Sequence, residues 1–285
     1  MQKVVCFSLI MFVMSGFMTQ AHAATDSELC NSYCSSKRYA AAFPVCKKAA
    51  EQGVAKAQEH LGFMYGRGQG VKKDYKKSFE WSVKAAEQGC AMAQYNVGSF
   101  YQLGVGTKQN YKKAIEWYEK AAGQGLEEAQ HNLAFIYYEG LGVKKDYKKA
   151  LKLFQKAAEK ELAASQNFLG LMYQQGQGVK QNAIKAVEWY EKAAEHGFAE
   201  AQNNLGYMYY EGQGVEKNYK KSFEWFKKSA SQGDSFGLLH LGCFYLKGWG
   251  VRHNRAKAKE YFGMSCDNGE QLGCDMYRLM NRGKI

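Results

Sequence analysis

Proline is almost absent. Pro44 is the single one in 285 residues, so nearly nothing in the backbone forbids helix from one end to the other. Long apolar runs are missing too. The most apolar stretch, Val4 to Met18, is about 15 residues, short of the roughly 20 that cross a bilayer as a helix, and nothing later approaches it. The octapeptide G-x-x-x-x-G-K-[ST] does not occur, which removes a Walker-type nucleotide site. S-x-x-K, S-D-N and K-T-G are all missing, and with them the serine β-lactamase set. There is no C-x-x-C, and His60, His131, His196, His240 and His253 are scattered, which argues against a metal centre. The apolar fraction of 46% is ordinary and excludes a disordered chain.

What is present starts with a leader. Lys3, the apolar run and then Ala21-His22-Ala23 read as an export signal with a small-x-small cleavage site. The mature chain is expected to begin near Ala24, to be periplasmic or secreted, and to lack a transmembrane segment. In an oxidising compartment cysteines become candidates for disulfides. Cys30, Cys34 and Cys46 cluster near one end and Cys266 and Cys274 near the other, with Cys90 and Cys243 isolated. Beyond Cys6 in the leader these are seven, an odd number, so at least one thiol is left over. The formal charge of +12 favours anionic partners, such as acidic proteins, lipid phosphates or polyanionic glycans. Nucleic acid is not expected, because no DNA- or RNA-binding motif is present.

Thirty glycines have a period. Leu61-Gly62, Val97-Gly98, Leu133-Ala134, Leu169-Gly170, Leu205-Gly206 and Leu241-Gly242 recur every 36 residues without insertion. Each copy reads as a helical hairpin. Helix A carries apolar residues at helical spacing, as at Ala201, Leu205, Met208 and Tyr209. It ends at a G-x-G turn such as Gly212 and Gly214. A short acceptor follows in every copy (Asp74, Asn110, Asp146, Asn182, Asn218, Asn254), as an N-cap of helix B requires. Helix B stops at Gly89, Gly125, Gly197, Gly233 or Gly269, where a left-handed residue is wanted. Copy three has Glu161 there instead. The glycines therefore serve close packing and tight turns, not a phosphate site.

The pattern A-x-A-Q-x-x-L-G-x-x-Y-x-x-G-x-G-V followed by K-A-x-x-W-x-x-K-A-A-x-x-G resembles the Sel1-like repeat, a relative of the tetratricopeptide repeat. "AKAQEHLGFMYGRGQGVKKDYKKSFEWSVKAAEQG" matches it nearly throughout. The resemblance implies an all-α, right-handed α-solenoid of 36-residue helix-turn-helix repeats, used as a protein-interaction scaffold. The organisation expected is a signal peptide over 1–23, an N-terminal partial repeat or cap over 24–54, six repeats over 55–270 and a C-terminal capping helix over 271–285. Trp81, Trp117, Trp189 and Trp225 share one helix-B position and are expected to be core wedges between stacked hairpins.

Cys266-x7-Cys274 places one thiol in the last turn of a helix B and the other in the first turn of the next segment. Antiparallel helices meeting there bring the two side by side, so a disulfide is expected. The same spacing is typical of the Helicobacter cysteine-rich subgroup of this family. Cys46 has two candidate partners, Cys30 and Cys34, between which the sequence does not choose.

Function is sought where copies differ. Three helix-A positions spaced i, i+4, i+7 vary freely and form one stripe. In tetratricopeptide-like solenoids helix A lines the concave groove, so the stripe is the expected partner-binding face. Its candidate contact residues are Tyr95, His131, Phe135, Tyr138, Asn203, Tyr207 and Tyr210. Aromatic anchors suit a peptide or helix laid in a groove; the alternative is padding between neighbouring helices A. Trp249, in the last G-x-G turn, is expected to be exposed. A ladder of lysine pairs (Lys76-Lys77, Lys112-Lys113, Lys148-Lys149, Lys220-Lys221, with Lys185 alone) falls in the first turn of helix B, where the helix dipole disfavours cations. A solvated face or an anion-docking rail would account for it. No cofactor and no catalytic residue is expected. The rival function is β-lactam binding or weak hydrolysis, as described for some cysteine-rich relatives.

Overall fold

The computed structural model describes residues 24–285, and the proposed leader lies outside the described residues. A leading hairpin pairs α1 (Asp26–Ser35) with α2 (Tyr39–Glu51). Six hairpins follow: α3 (Ala55–Arg67) with α4 (Tyr75–Glu87), α5 (Ala91–Leu103) with α6 (Tyr111–Gly123), and α7 (Glu127–Glu139) with α8 (Tyr147–Glu159); then α9 (Ala163–Gln175) with α10 (Ala183–Glu195), α11 (Ala199–Glu211) with α12 (Tyr219–Ala230), and α13 (Ser235–Lys247) with α14 (Arg255–Asp267). A last helix, α15 (Gln271–Asn281), covers the end. Each helix packs chiefly on its neighbours in the chain. That is the quasi-one-dimensional contact pattern of an α-solenoid. No helix among the described residues is long and apolar enough to cross a membrane.

Local chemistry sets the hairpin boundaries. The side chains of Asp74, Asn110, Asp146, Asn182, Asn218 and Asn254 each accept a hydrogen bond from the backbone N–H three residues on, satisfying a donor the helix leaves orphaned. At the other end of each helix A, Gly68, Gly104, Gly140, Gly176, Gly212 and Gly248 are left-handed caps with φ of 69° to 75°. The second glycine of each pair has a different duty. A Cβ on Gly106 would come within 2.3 Å of the Tyr75 carbonyl oxygen, at the start of the preceding helix B. The G-x-G motif thus turns the chain with one glycine and docks it on the previous hairpin with the other. Glu161 holds φ +64° where the other copies use glycine.

The core wedge is not tryptophan. Trp81, Trp117, Trp189 and Trp225 are only half-buried, and a lysine three residues on lies over each ring at 3.8 to 4.3 Å. The fully buried side chain is the next residue: Tyr118, Phe154, Tyr190, Phe226 and Phe262. Its ring lies against the glycine of the Leu-Gly pair, where a Cβ on Gly98 or Gly170 would meet ring carbons at 2.7 and 2.5 Å. Consecutive helix residues point about 100° apart, so both positions recur with the period while only one faces inward.

A buried glutamine ladder ties hairpins together. Gln58, Gln94 and Gln202 each donate to an alanine carbonyl near the end of the preceding helix B, at 3.1 to 3.2 Å. Their side-chain oxygens in turn accept from Gln88, Gln124 and Gln232 of the next helix B at 2.8 to 2.9 Å. The A-x-A-Q signature is therefore an inter-repeat clamp that satisfies polar groups at the buried bend.

Candidate binding groove

The helix-A stripe is not uniform along the stack. Tyr207 is 37% exposed, and its ring lies 6.3 Å from that of Tyr210. Tyr210 is half-buried against Trp249, Tyr219 and Phe244, with ring centroids at 5.1, 5.7 and 5.8 Å. Trp249 is half-buried rather than free: it stacks on Tyr219 at 5.8 Å and 9°. Beside this cluster a crevice of about 220 Å³ is lined by Tyr210, His240, Cys243, Phe244, Trp249 and Met276, almost all apolar. Burial pushes the Cys243 thiol up, against a smaller opposing pull from Lys247, so it stays protonated.

The middle of the stripe is closed by aromatic packing. Tyr138 is 8% exposed and packs edge-on against Tyr147 and Phe168 at 5.3 and 5.6 Å. Phe135 meets Phe168 at 5.8 Å, and Phe154 stacks on the same ring at 4.8 Å and 9°. His131 packs edge-on against both Phe154 and Phe168, and its Nδ1 is 2.8 Å from Ser165 Oγ. Burial lowers its pKa to about 4, so the ring is neutral near pH 7. The His131–Ser165 pair has the outline of a nucleophile and its base, but Ser165 is 0% exposed and no substrate reaches its oxygen. Asn203 is half-buried, and its side-chain oxygen has no hydrogen-bond partner among the described residues.

The stripe opens again at its N-terminal end. Tyr95 is half-buried, 5.8 Å from Tyr118, and borders a larger cavity of about 490 Å³ between the first two of the six hairpins. Phe63, Tyr75 and Met92 at its edge are each 41–42% exposed. Phe63, Gly66 and Tyr95, all at variable positions of the helix-A stripe, line this cavity. A second signal was on helix B, where Ser82 stands in the register of Tyr118 and Phe226.

The lysine ladder has a partner inside the fold. The second lysine of each pair, and Lys185 and Lys257 in the same register, lies over the helix-A tyrosine of its own hairpin. Lys149 is 4.0 Å from the ring of Tyr137, and Lys77, Lys113, Lys185, Lys221 and Lys257 are 5.2 to 5.5 Å from theirs. Fold stability thus does account for half the ladder, through cation–π contacts worth about 0.5–1 kcal/mol at exposed sites. Lys76, Lys112, Lys148 and Lys220 remain exposed.

Two disulfides clamp the ends. Cys266 is bonded to Cys274, joining α14 to α15, and Cys30 is bonded to Cys46, joining α1 to α2. Cys34 is the alternative left out, with its sulfur 3.7 Å from that of Cys46. The sulfurs of Cys30, Cys34 and Cys46 lie within 4.8 Å of one another. With two of them joined, only one thiolate ligand is available for a metal.

Solved structures of known repeat proteins share this architecture. A Sel1 repeat protein from Oxalobacter formigenes superposes with a TM-score of 0.81 at 33% identity, over 85% of this chain and 97% of its own. The uropathogenic Escherichia coli protective antigen c5321, which displays an SLR fold, gives a TM-score of 0.77 at 40% identity over 85% of this chain. This chain spans about half (52%) of that antigen's length. The Helicobacter pylori cysteine rich protein B matches over 48% of this chain at 29% identity, with a TM-score of 0.39. No match was found among curated proteins. The Sel1 repeat profile matches six times without a gap, over residues 55–90, 91–126, 127–162, 163–198, 199–234 and 235–270. The chain belongs to the Sel1 repeat family.

Proposed function

We propose that this protein is an exported scaffold that binds a partner polypeptide along the groove formed by its helices A, in a bacterial envelope or at a host interface. Sel1 repeat solenoids are in general protein-interaction scaffolds. The observation that carries the reading here is the distribution of exposed aromatic and apolar side chains on the helix-A stripe. They gather at Phe63 and Met92 at one end and at Tyr207 at the other, each beside an apolar crevice. Amphipathic rings beside crevices are the usual anchors of peptide recognition. Two disulfides support export, because such bonds persist in oxidising compartments. Likeness to a protective antigen supports contact with a host. Lys76, Lys112, Lys148 and Lys220 offer a secondary anionic contact.

Replacing Tyr207 and Tyr210 together by alanine is the test. A variant with an unchanged circular-dichroism spectrum and a loss of the crosslinked partners recovered with the wild type supports the groove. An intact fold that recovers the same partners at the same yield overturns it. Hydrolysis is tested with a chromogenic β-lactam. Turnover that survives at high purity and in a cysteine-free variant would replace the scaffold reading with an enzymatic one.

A further inference from the structure

The first of the six hairpins lacks the ring that each later one buries. Tyr118, Phe154, Tyr190, Phe226 and Phe262 fill that place with no exposure, whereas the first hairpin has Ser82. The hairpin has not closed to compensate. Ser78 donates from Oγ to the Gly62 carbonyl at 2.7 Å, the same length as the bond from Ser222 to Gly206 in the fifth hairpin, where Phe226 is in place. A second side chain is cut back at the same spot. The hydroxyls of Tyr118 and Tyr190 donate to Gln102 and Gln174 at 2.7 Å, and the matching residue of the first hairpin is Gly66. Both truncated positions line the cavity of about 490 Å³ and widen it.

We propose that this cavity receives an aromatic side chain, tyrosine above all, presented by an acidic segment of the partner polypeptide. The proposal rests on the groove reading above and names what one end of that groove selects. Shape supplies the first argument, because five sister hairpins hold a phenylalanine or tyrosine ring in the equivalent space. Hydrogen bonding supplies the second. Asn132 donates from its side-chain amide to Tyr118 Oη at 3.2 Å; Asn96 stands one repeat earlier in the same register and lines the cavity, where it can serve a phenol in the same way. Charge supplies the third. Arg67 lines the rim, is exposed, and makes no ion pair among the described residues, while Lys73 lies 4.5 Å from the ring of Tyr75. Carboxylates flanking the inserted ring would meet both cations. The exposed Phe63 and Met92 then cover the adjoining stretch of chain, which a lone aromatic molecule would leave uncovered.

The test titrates the full chain with two fluorescein-labelled peptides, acetyl-Asp-Asp-Tyr-Asp-Asp and its counterpart with alanine at the centre, followed by anisotropy. The tyrosine peptide is expected to bind about tenfold more tightly, the discrimination one filled apolar pocket provides. Ser82→Phe restores the missing ring, so it should abolish that preference and raise the thermal midpoint. Gly66→Gln should weaken the preference from the opposite wall, and Arg67→Ala should reduce affinity and its salt dependence. Equal binding of the two peptides, a tyrosine preference undiminished in Ser82→Phe, or a lowered midpoint in that variant overturns the proposal. These readouts are independent of Tyr207 and Tyr210, so the wider groove reading can fail while the tyrosine preference stands, and the reverse.

Discussion

The backbone of Gly98 lies against the ring of Tyr118 so closely that a methyl group there would sit 2.7 Å from two ring carbons. Overpacking a tight contact of this kind costs about 1–3 kcal/mol. Gly98→Ala is therefore expected to lower the urea midpoint, while Gly62→Ala, which faces the small and rotatable Ser82 hydroxyl at 2.8 Å, should cost less. The third hairpin already accommodates Ala134 opposite Phe154, so Ala134→Gly relieves no clash and should cost about 1 kcal/mol through the helix preference of alanine over glycine. Equal losses at Gly98 and Gly62 would show that the ring does not set the spacing.

Adjacent aromatic residues of helix B should differ sharply. Phe226 is fully buried and Trp225 is half-buried beneath Lys228. Phe226→Ala should cost about 3–5 kcal/mol, and Trp225→Ala clearly less, measured by denaturant unfolding of the whole chain. The reverse order would restore tryptophan as the wedge.

Cys34 lies 3.7 Å from Cys46 across the bridge that Cys30 occupies. In Cys30→Ser, peptide mapping under oxidising conditions is expected to find Cys34 joined to Cys46, with the leading hairpin still clamped. Cys46→Ser removes both options and should lose the clamp altogether. A Cys30→Ser protein with two free thiols at these positions would contradict the geometry.

Stability should fall with acidification below about pH 6.5. His131 and His240 are each lowered to about 4 by burial, with Asp234 opposing slightly at His240. Between pH 6.5 and 4 the unfolded chain binds protons that the folded chain does not, so unfolding is favoured as pH falls, by up to roughly 1.4 kcal/mol per pH unit per histidine. The double change His131→Gln and His240→Gln should flatten the midpoint-versus-pH curve between pH 6.5 and 5, leaving the contribution of His60, which burial also lowers, and the opposing one of Glu200, whose carboxyl burial raises. An unchanged slope would mean both rings accept protons in the folded state.

Glu161 is held at φ +64°, in the left-handed region that costs an L-residue about 1–2 kcal/mol. Glu161→Gly should relieve that strain, less the entropy glycine loses on folding, and raise stability by a net of about 0.5–1 kcal/mol in thermal unfolding. A destabilised variant would mean that the glutamate is held there by a contact stronger than the strain.

Features that depend on a few consecutive residues were legible from the chain alone. The six N-caps, the left-handed glycines and the exception at Glu161 follow from backbone donors and φ values, which neighbours in sequence control. The period, the hairpins and the bridge across the α14–α15 bend belong to the same class. The function of the A-x-A-Q glutamine was carried by the motif, yet its partners come from the preceding hairpin and from the helix B of its own, and were not readable from the motif alone.

Amino-acid order by itself determined that this polypeptide is a stack of two-helix units, because capping, turning and amphipathic spacing are local and repeat with the residues. Tertiary packing alone decided which of two neighbouring aromatics turns inward, whether Cys30 or Cys34 meets Cys46, and that Tyr138 fills the stack while Tyr207 stays exposed. Those choices turn on the relative rotation and separation of helices, and a serine in place of a ring becomes a cavity only once both helices and the next hairpin are set around it.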